Sequence, residues 1–357
     1  YVRVQVKRSK RFMAGIKTGL VGFGHSGRVF HAPFLLQSPS FELAGIVQRT
    51  DGSAQKEYPQ VKVFRSFNEL LSDEQVALVV ITTPNHLHAS MTRAALRAGK
   101  HVVVEKPFTD TVEEAEELSS LALEKGLNLF VFHNRRWDGD FKTVRRICKS
   151  GVLGRVVRFE AHFDRFRPGL NAKQWKEITN PTSSLLHDLG THLIDQVVCL
   201  FGKPESVMAN LRTEREGSAK IDSFDLFLHY SNLVVSLKAS CIIKEPGPRY
   251  GLHGVNGSFV KYGVDPQEPQ LLAGVLTDDP RFGVDEEQYW GVLHLHKEKS
   301  RERVKTETGN YLGFYDNVAA VFSGRQTPAV PMDEVLITME IIEAAFQSHN
   351  EKKIIEL

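Results

Sequence analysis

The sequence predicts an α/β chain with an N-terminal doubly wound parallel sheet over residues 13–132 and an α+β region over 133–357 built on a mostly antiparallel open sheet. Three observations predict it. Between Gly15 and Phe132, β-rich runs alternate with helical patterns; a glycine-rich turn joins the first run to the first helix; and beyond His133, strand-like runs follow one another with only polar turns between them.

The elements of the first half come in order. Ile16–Val21 is a strand, Ser26–Gln37 a helix, and Phe41–Val47 a second strand. Val61–Phe64 is followed by the amphipathic Ser66–Leu71 and by the wholly apolar Ala77–Ile81. A helix over His86–Ala98 is closed by Gly99, the strand His101–Val104 follows, and a helix over Val112–Lys125 is closed by Gly126 before Leu127–Phe132. Strands apolar on both faces, separated by helices, make a parallel sheet covered on both sides. In the second half, helices over Asp138–Lys149 and Ser184–Phe201 flank the strand Arg155–Phe163. The runs Phe224–His229, Val234–Ser240 and Gly291–His296 give the antiparallel sheet, and helices over Tyr311–Phe322 and Met332–Asn350 complete the chain.

Composition excludes several classes. A chain of 357 residues, 41% hydrophobic, is long enough for two cores. Its 45 Lys and Arg against 43 Asp and Glu leave a net charge of +2, without the basic excess that nucleic-acid binding requires. Cys148, Cys199 and Cys241 are scattered and fit neither a disulfide framework nor a zinc site, so a reducing cytoplasm is expected. Residues 1–12 carry five Lys or Arg with no apolar run after them, and read as a disordered arm or tag. No apolar run approaches the roughly 20 residues needed to span a bilayer.

The turn Gly22-Phe23-Gly24-His25-Ser26-Gly27 stands where a dinucleotide fingerprint has a mechanism, directly after a strand and before a helix. Gly22 permits the tight turn, Gly24 lets the backbone approach a pyrophosphate, and Gly27 allows close helix–strand packing, so this half reads as a Rossmann domain. An acid at the end of the second strand would bind the ribose 2′-hydroxyl of NAD; here the sequence reads Val47-Gln48-Arg49-Thr50. Arg49 can pair with a 2′-phosphate and Thr50 can add a hydroxyl, which predicts NADP(H) ahead of NAD(H). Asp51 keeps NAD open.

Three further stretches are Thr82-Thr83-Pro84-Asn85-His86-Leu87-His88, Glu105-Lys106-Pro107 and Asp188-Leu189-Gly190-Thr191-His192. With the glycine turn, they resemble the Gfo/Idh/MocA oxidoreductase family from about Ile16 onward. Phe132-His133-Asn134-Arg135-Arg136-Trp137-Asp138, Phe163-Asp164-Arg165-Phe166-Arg167-Pro168, Pro248-Arg249-Tyr250 and Val260-Lys261-Tyr262-Gly263 resemble the branch containing NADP-dependent scyllo-inositol dehydrogenases. The resemblance implies reversible hydride transfer between nicotinamide and a secondary hydroxyl or keto group of a cyclitol or sugar. It assigns Thr83, Pro84, Asn85, His88, Glu105 and Lys106 to the cofactor's ribose and nicotinamide end.

That chemistry needs a base for the hydroxyl proton, a donor for the developing alkoxide and a hydride acceptor within reach. Lys106, at a strand's C-terminal end, can bind the reacting oxygen. Asp188 and His192 are four apart on a predicted helix and project from one face. The resemblance makes Lys106 and His192 the proton-handling pair and Asp188 the positioning partner; which of the two takes the proton stays open. His187 points elsewhere and reads as structural. The histidines have no metal-binding spacing, and no metal is expected.

Arg165, Arg167, Trp175 and Tyr250 are candidates for the substrate pocket, since donors and an aromatic face suit a polyhydroxylated ring. Arg135-Arg136-Trp137 either lines the cleft or caps the domain junction. The same family handles aldoses and deoxy-keto sugars and includes cofactor-sensing proteins without catalysis; the presence of Lys106, Asp188 and His192 together argues for an enzyme. Relatives bury the outer face of the second sheet, so an apolar outer face and a homodimer or homotetramer are expected.

Overall fold

The computed structural model describes residues 15–50, 52–170, 184–297 and 301–357. The N-terminal arm, Asp51 and Trp175 lie outside the described residues.

Six strands form the first sheet: β1 (Ile16–Val21), β2 (Phe41–Val47), β3 (Lys62–Phe64), β4 (Leu78–Ile81), β5 (His101–Val104) and β6 (Leu129–Val131). Their order is β3-β2-β1-β4-β5-β6, and all pairings are parallel. The order reverses between β1 and β4, which opens a crevice at the carboxyl ends of these two strands. Burial on both faces explains the apolar runs. In β4, Leu78 and Val80 join one core with Phe34, Leu35 and Phe130, while Val79 and Ile81 join another with Leu96 and Leu118. Helix ends follow local chemistry as well. Ser66 and Thr111 accept hydrogen bonds from the backbone amides of Glu69 and Glu114, and Gly99 and Gly126 take positive φ just past the ends of the helices His88–Arg97 and Val112–Glu124.

Nine strands form the second sheet: β7 (Val156–His162), β8 (Ser206–Arg212), β9 (Ser223–Tyr230), β10 (Leu233–Ser240), β11 (Tyr250–Gly254), β12 (Gly257–Lys261), β13 (Gly291–Leu295), β14 (Glu302–Val304) and β15 (Ile355–Glu356). The order is β14-β13-β12-β11-β7-β10-β9-β8-β15; β7 and β10 run parallel and the other neighbours antiparallel. The helices Gly139–Ser150, Thr191–Phe201 and Met332–Glu351 cover one face through Phe141, Val144, Leu193, Val197, Ile341 and Ala345. The opposite face differs from the expected apolar one. Exposed Met208 and Val234 alternate there with charged pairs such as Arg212–Asp225, 2.6 Å apart, because strand positions facing away from the core carry both kinds of residue.

One helix of the second half does not serve the second sheet. Leu312–Phe322, with Tyr311 before it, places Tyr311, Phe314, Tyr315 and Val318 in the core of the first. No helix among the described residues is long and apolar enough to cross a membrane.

Candidate active site

The glycine turn leaves β1 at the sheet's crevice. Gly22 has φ of +97°, a region open to glycine, and a Cβ on Gly27 would lie 2.3 Å from the Gly22 carbonyl oxygen. Nothing lies within 4 Å of a Cβ built on Gly24, so the backbone there is open to a close-approaching group. A backbone this open has room for a phosphate group to approach closely. Phe23 turns inward against Tyr58 and so offers only backbone to the turn, while exposed His25 packs edge-on against Phe30. Thr82 was not singled out in the sequence. Its hydroxyl lies 3.0 Å from the Gly22 carbonyl oxygen and 3.1 Å from that of Val21, tying the end of β4 to the turn.

After the turn the chain is not a plain α-helix. Gly27–His31 forms a wide π-helical turn before the short helix Ala32–Gln37, and Leu186–Gly190 forms a second before Thr191–Phe201. Such turns are rare and recur at functional sites. Both here carry residues of the site, and the second one separates Asp188 from His192. The two differ in exposure: the Asp188 side chain is 56% exposed, while His192 is 5% exposed.

At the end of β2, Gln48 turns in to bond Ser53 and the amide of Ala54. Arg49 and Thr50 are exposed at the strand's tip, and neither side chain bonds another described residue. Two other cofactor candidates are placed differently from each other. Thr83 lies in the turn after β4, next to exposed Pro84 and half-buried Asn85. His88 is fully buried, with Nε2 2.9 Å from the Thr83 carbonyl and Nδ1 2.7 Å from that of Pro107. Both ring nitrogens are therefore occupied by protein, and His88 staples the two turns instead of presenting its ring to a ligand.

Lys106 follows β5. Its ammonium donates to Asp188 Oδ1 at 2.8 Å and to the Asp188 carbonyl at 2.9 Å, and Arg165 Nη1 stands 3.9 Å from Asp188 Oδ2. The Lys106 charge holds the Asp188 carboxyl well below the usual carboxylate range, and Arg165 adds to this. His192 lies behind, its Nδ1 buried without a hydrogen-bond partner among the described residues. Burial first, then the charges of Lys106 and Arg135, push its pKa well below 6.5. The imidazole is thus neutral at neutral pH.

His133, just past the end of β6, is an electrostatic neighbour of His192 outside the sequence-predicted set. It is 2% exposed, its Nδ1 lies 3.8 Å from Asp195 Oδ1, and burial lowers its pKa despite that carboxylate. Its position directly after a sheet strand was the signal available.

The remaining candidates divide. Arg165 shares the Phe163 ring with Arg135 and Arg249, whose guanidinium carbons lie 5.2, 5.1 and 4.3 Å from its centroid. Arg167 is exposed beside them. Tyr250 is not a lining residue: it is fully buried, and its hydroxyl donates to Gln196 Oε1 at 2.8 Å. Arg136 pairs with Asp195 through contacts of 2.6 to 3.1 Å and Arg135 with Asp138 and Glu268, so this run braces the junction. His187 bonds Ser184 and stacks on Phe346, as a structural residue does. No group of metal-binding side chains occurs among the described residues.

Comparison with known proteins agrees with this architecture. Residues 16–133 match the NAD-binding Rossmann-fold domain of the oxidoreductase family and residues 145–357 its C-terminal α/β domain. The chain is 37% identical to scyllo-inositol 2-dehydrogenase (NADP(+)) IolW of Bacillus subtilis over 358 residues, covering 99% of each. It is 40% identical to the uncharacterized oxidoreductase YdgJ of Escherichia coli, covering 93% of this chain and 96% of that one. The crystal structure of an oxidoreductase from Bacillus cereus superposes with a TM-score of 0.89 at 34% identity, covering 96% of this chain and 98% of that one. The chain belongs to the Gfo/Idh/MocA oxidoreductase family, with an NAD(P)-binding Rossmann domain followed by the family's C-terminal domain.

Proposed function

We propose that this protein is an NADP(H)-dependent dehydrogenase acting on a secondary hydroxyl or keto group of a cyclitol or sugar, similar to a scyllo-inositol dehydrogenase. The observation that carries the reading is the Lys106–Asp188–Arg165 cluster at the carboxyl edge of the sheet that also bears the glycine turn. The name of the B. subtilis relative, similar over the full length, supports both the substrate class and NADP.

When bound, the nicotinamide supplies the hydride exchange. Gly22, Gly24 and Gly27 receive the pyrophosphate, and Arg49 with Thr50 receives the adenosine 2′-phosphate. Lys106 donates from Nζ to the substrate oxygen and stabilises the charge that develops there. Asp188 fixes Lys106 and accepts from a neighbouring hydroxyl, while Arg165 donates to another. His192, neutral at pH 7, accepts the hydroxyl proton during oxidation and returns it during reduction. A panel of ring polyols and sugars assayed with NADP+ tests the reading. Reduced-nicotinamide absorbance rising with a cyclitol supports it, and turnover of none of them overturns it.

A further inference from the structure

Glu105 precedes the candidate catalytic lysine, and its carboxylate is almost enclosed. Oε2 accepts the backbone amide of Lys106 at 3.0 Å, and Oε1 accepts from the hydroxyl of Ser26 in the glycine turn. The same Oε1 lies 3.1 Å from Nε2 of His31, the last residue of the first π-helical turn. His31 is fully buried, and its other nitrogen, Nδ1, lies 2.6 Å from the hydroxyl of Tyr315. The tautomers follow from the partners. A carboxylate only accepts, so Nε2 donates to Glu105; in the neutral imidazole Nδ1 then accepts from the Tyr315 hydroxyl. Burial alone would raise the Glu105 pKa, but His31, through its hydrogen bond and its electrostatic field, and then the charge of Lys106 bring it down to about 2. The carboxylate is therefore ionised at neutral pH, with 13% of its side chain exposed.

Tyr315 belongs to the helix Leu312–Phe322 of the second half, whereas His31, Ser26 and Glu105 belong to the first. Without its π-helical turn, the segment after Gly27 would carry His31 at a different angle; with it, the ring spans Glu105 and Tyr315. We propose that His31 and Tyr315 are positioning residues: Tyr315 fixes the His31 tautomer, His31 fixes Glu105, and Glu105 clasps Ser26 and the Lys106 amide together, so that filling the glycine turn and placing Lys106 are coupled. The proposal rests on the cofactor reading given above. Neither His31 nor Tyr315 is assigned to substrate or cofactor contact.

The test combines binding and hydrogen exchange. NADP+ affinity is titrated by calorimetry for the wild type, Ser26→Ala, Tyr315→Phe and the double variant, and amide exchange over residues 104–108 is followed without cofactor. Tyr315→Phe weakens NADP+ binding about fivefold, the loss of one hydrogen bond, and the double variant binds no worse than the weaker single variant. Exchange over 104–108 also quickens in Tyr315→Phe, although Tyr315 does not bond that segment. His31→Gln, which keeps a donor for Glu105, restores most of the affinity that His31→Leu loses. Penalties that multiply in the double variant, equal binding by His31→Gln and His31→Leu, or unchanged exchange over 104–108 overturn the coupling. If the wild type binds neither NADP+ nor NAD+, the cofactor reading fails, and the exchange result alone decides whether the chain from Tyr315 to Lys106 exists.

Discussion

Lys106 Nζ stands 2.8 Å from Asp188 Oδ1 and 2.9 Å from the Asp188 carbonyl oxygen, so a lysine from the edge of the first sheet is held by a residue of the second half. Two hydrogen bonds to one residue leave the third ammonium donor for a ligand.

Removing either partner therefore separates chemistry from cofactor binding. Lys106→Ala lowers kcat by about a hundredfold or more while the NADP+ dissociation constant changes less than about threefold. Asp188→Asn keeps the shape but loses the charge that anchors Lys106, and lowers kcat/KM by at least about tenfold. Stopped-flow turnover with calorimetric binding checks both, and near-normal turnover in Lys106→Ala contradicts the role.

The sign of the pH dependence follows from His192. Its pKa is pushed well below 6.5, chiefly by burial and next by Lys106, so its neutral, proton-accepting form persists as pH falls through 6.5. Oxidation followed as kcat/KM should hold its plateau through that value and decline only at lower pH. In His192→Gln the plateau falls about a hundredfold and that decline disappears. An acid limb centred at 6.5 or above in the wild type contradicts the assignment.

Gly27→Ala tests the glycine turn by geometry. Its Cβ would meet the Gly22 carbonyl oxygen at 2.3 Å and the Thr82 hydroxyl at 2.8 Å. The backbone must shift, which costs about 1–3 kcal/mol. Thermal melting should fall by a few degrees and NADP+ affinity by more than about tenfold, since the shifted amides no longer face a pyrophosphate. Unchanged affinity contradicts pyrophosphate binding at the turn.

Arg49 decides which dinucleotide is preferred. Arg49→Ser removes the cation facing a 2′-phosphate and should raise the NADP+ KM by about tenfold or more with little change for NAD+, because charge-assisted hydrogen bonds contribute about 1.5–3 kcal/mol. Parallel Michaelis curves check this; equal effects on both cofactors contradict it.

How much of this was legible in the sequence differs by element. β1, β2 and β5 were readable to the residue because their β-rich residues end abruptly against glycine, polar or proline-bearing turns, and β4 nearly so because it is an unbroken apolar run. β8, β11, β12, β14 and β15 were not: Ser206–Arg212 alternates with polar residues, Tyr250–Gly254 contains two glycines, and β14 and β15 have three and two residues. Their pairing is tertiary. The glycine turn and Lys106 were legible because backbone conformation and strand ends are local matters. What His88 and Tyr250 do was not, since only the fold shows that the Thr83, Pro107 and Gln196 groups have already taken their polar atoms. His31 and Tyr315 are 284 positions apart, and no spacing rule relates them.

The most direct test is the ratio of kcat/KM for NADP+ over NAD+ with scyllo-inositol as the hydride donor, followed at the reduced-nicotinamide band with purified protein. The account predicts turnover that depends on Lys106 and favours NADP+ by about tenfold or more. Absence of turnover with every cyclitol and sugar offered, or a clear preference for NAD+, contradicts it.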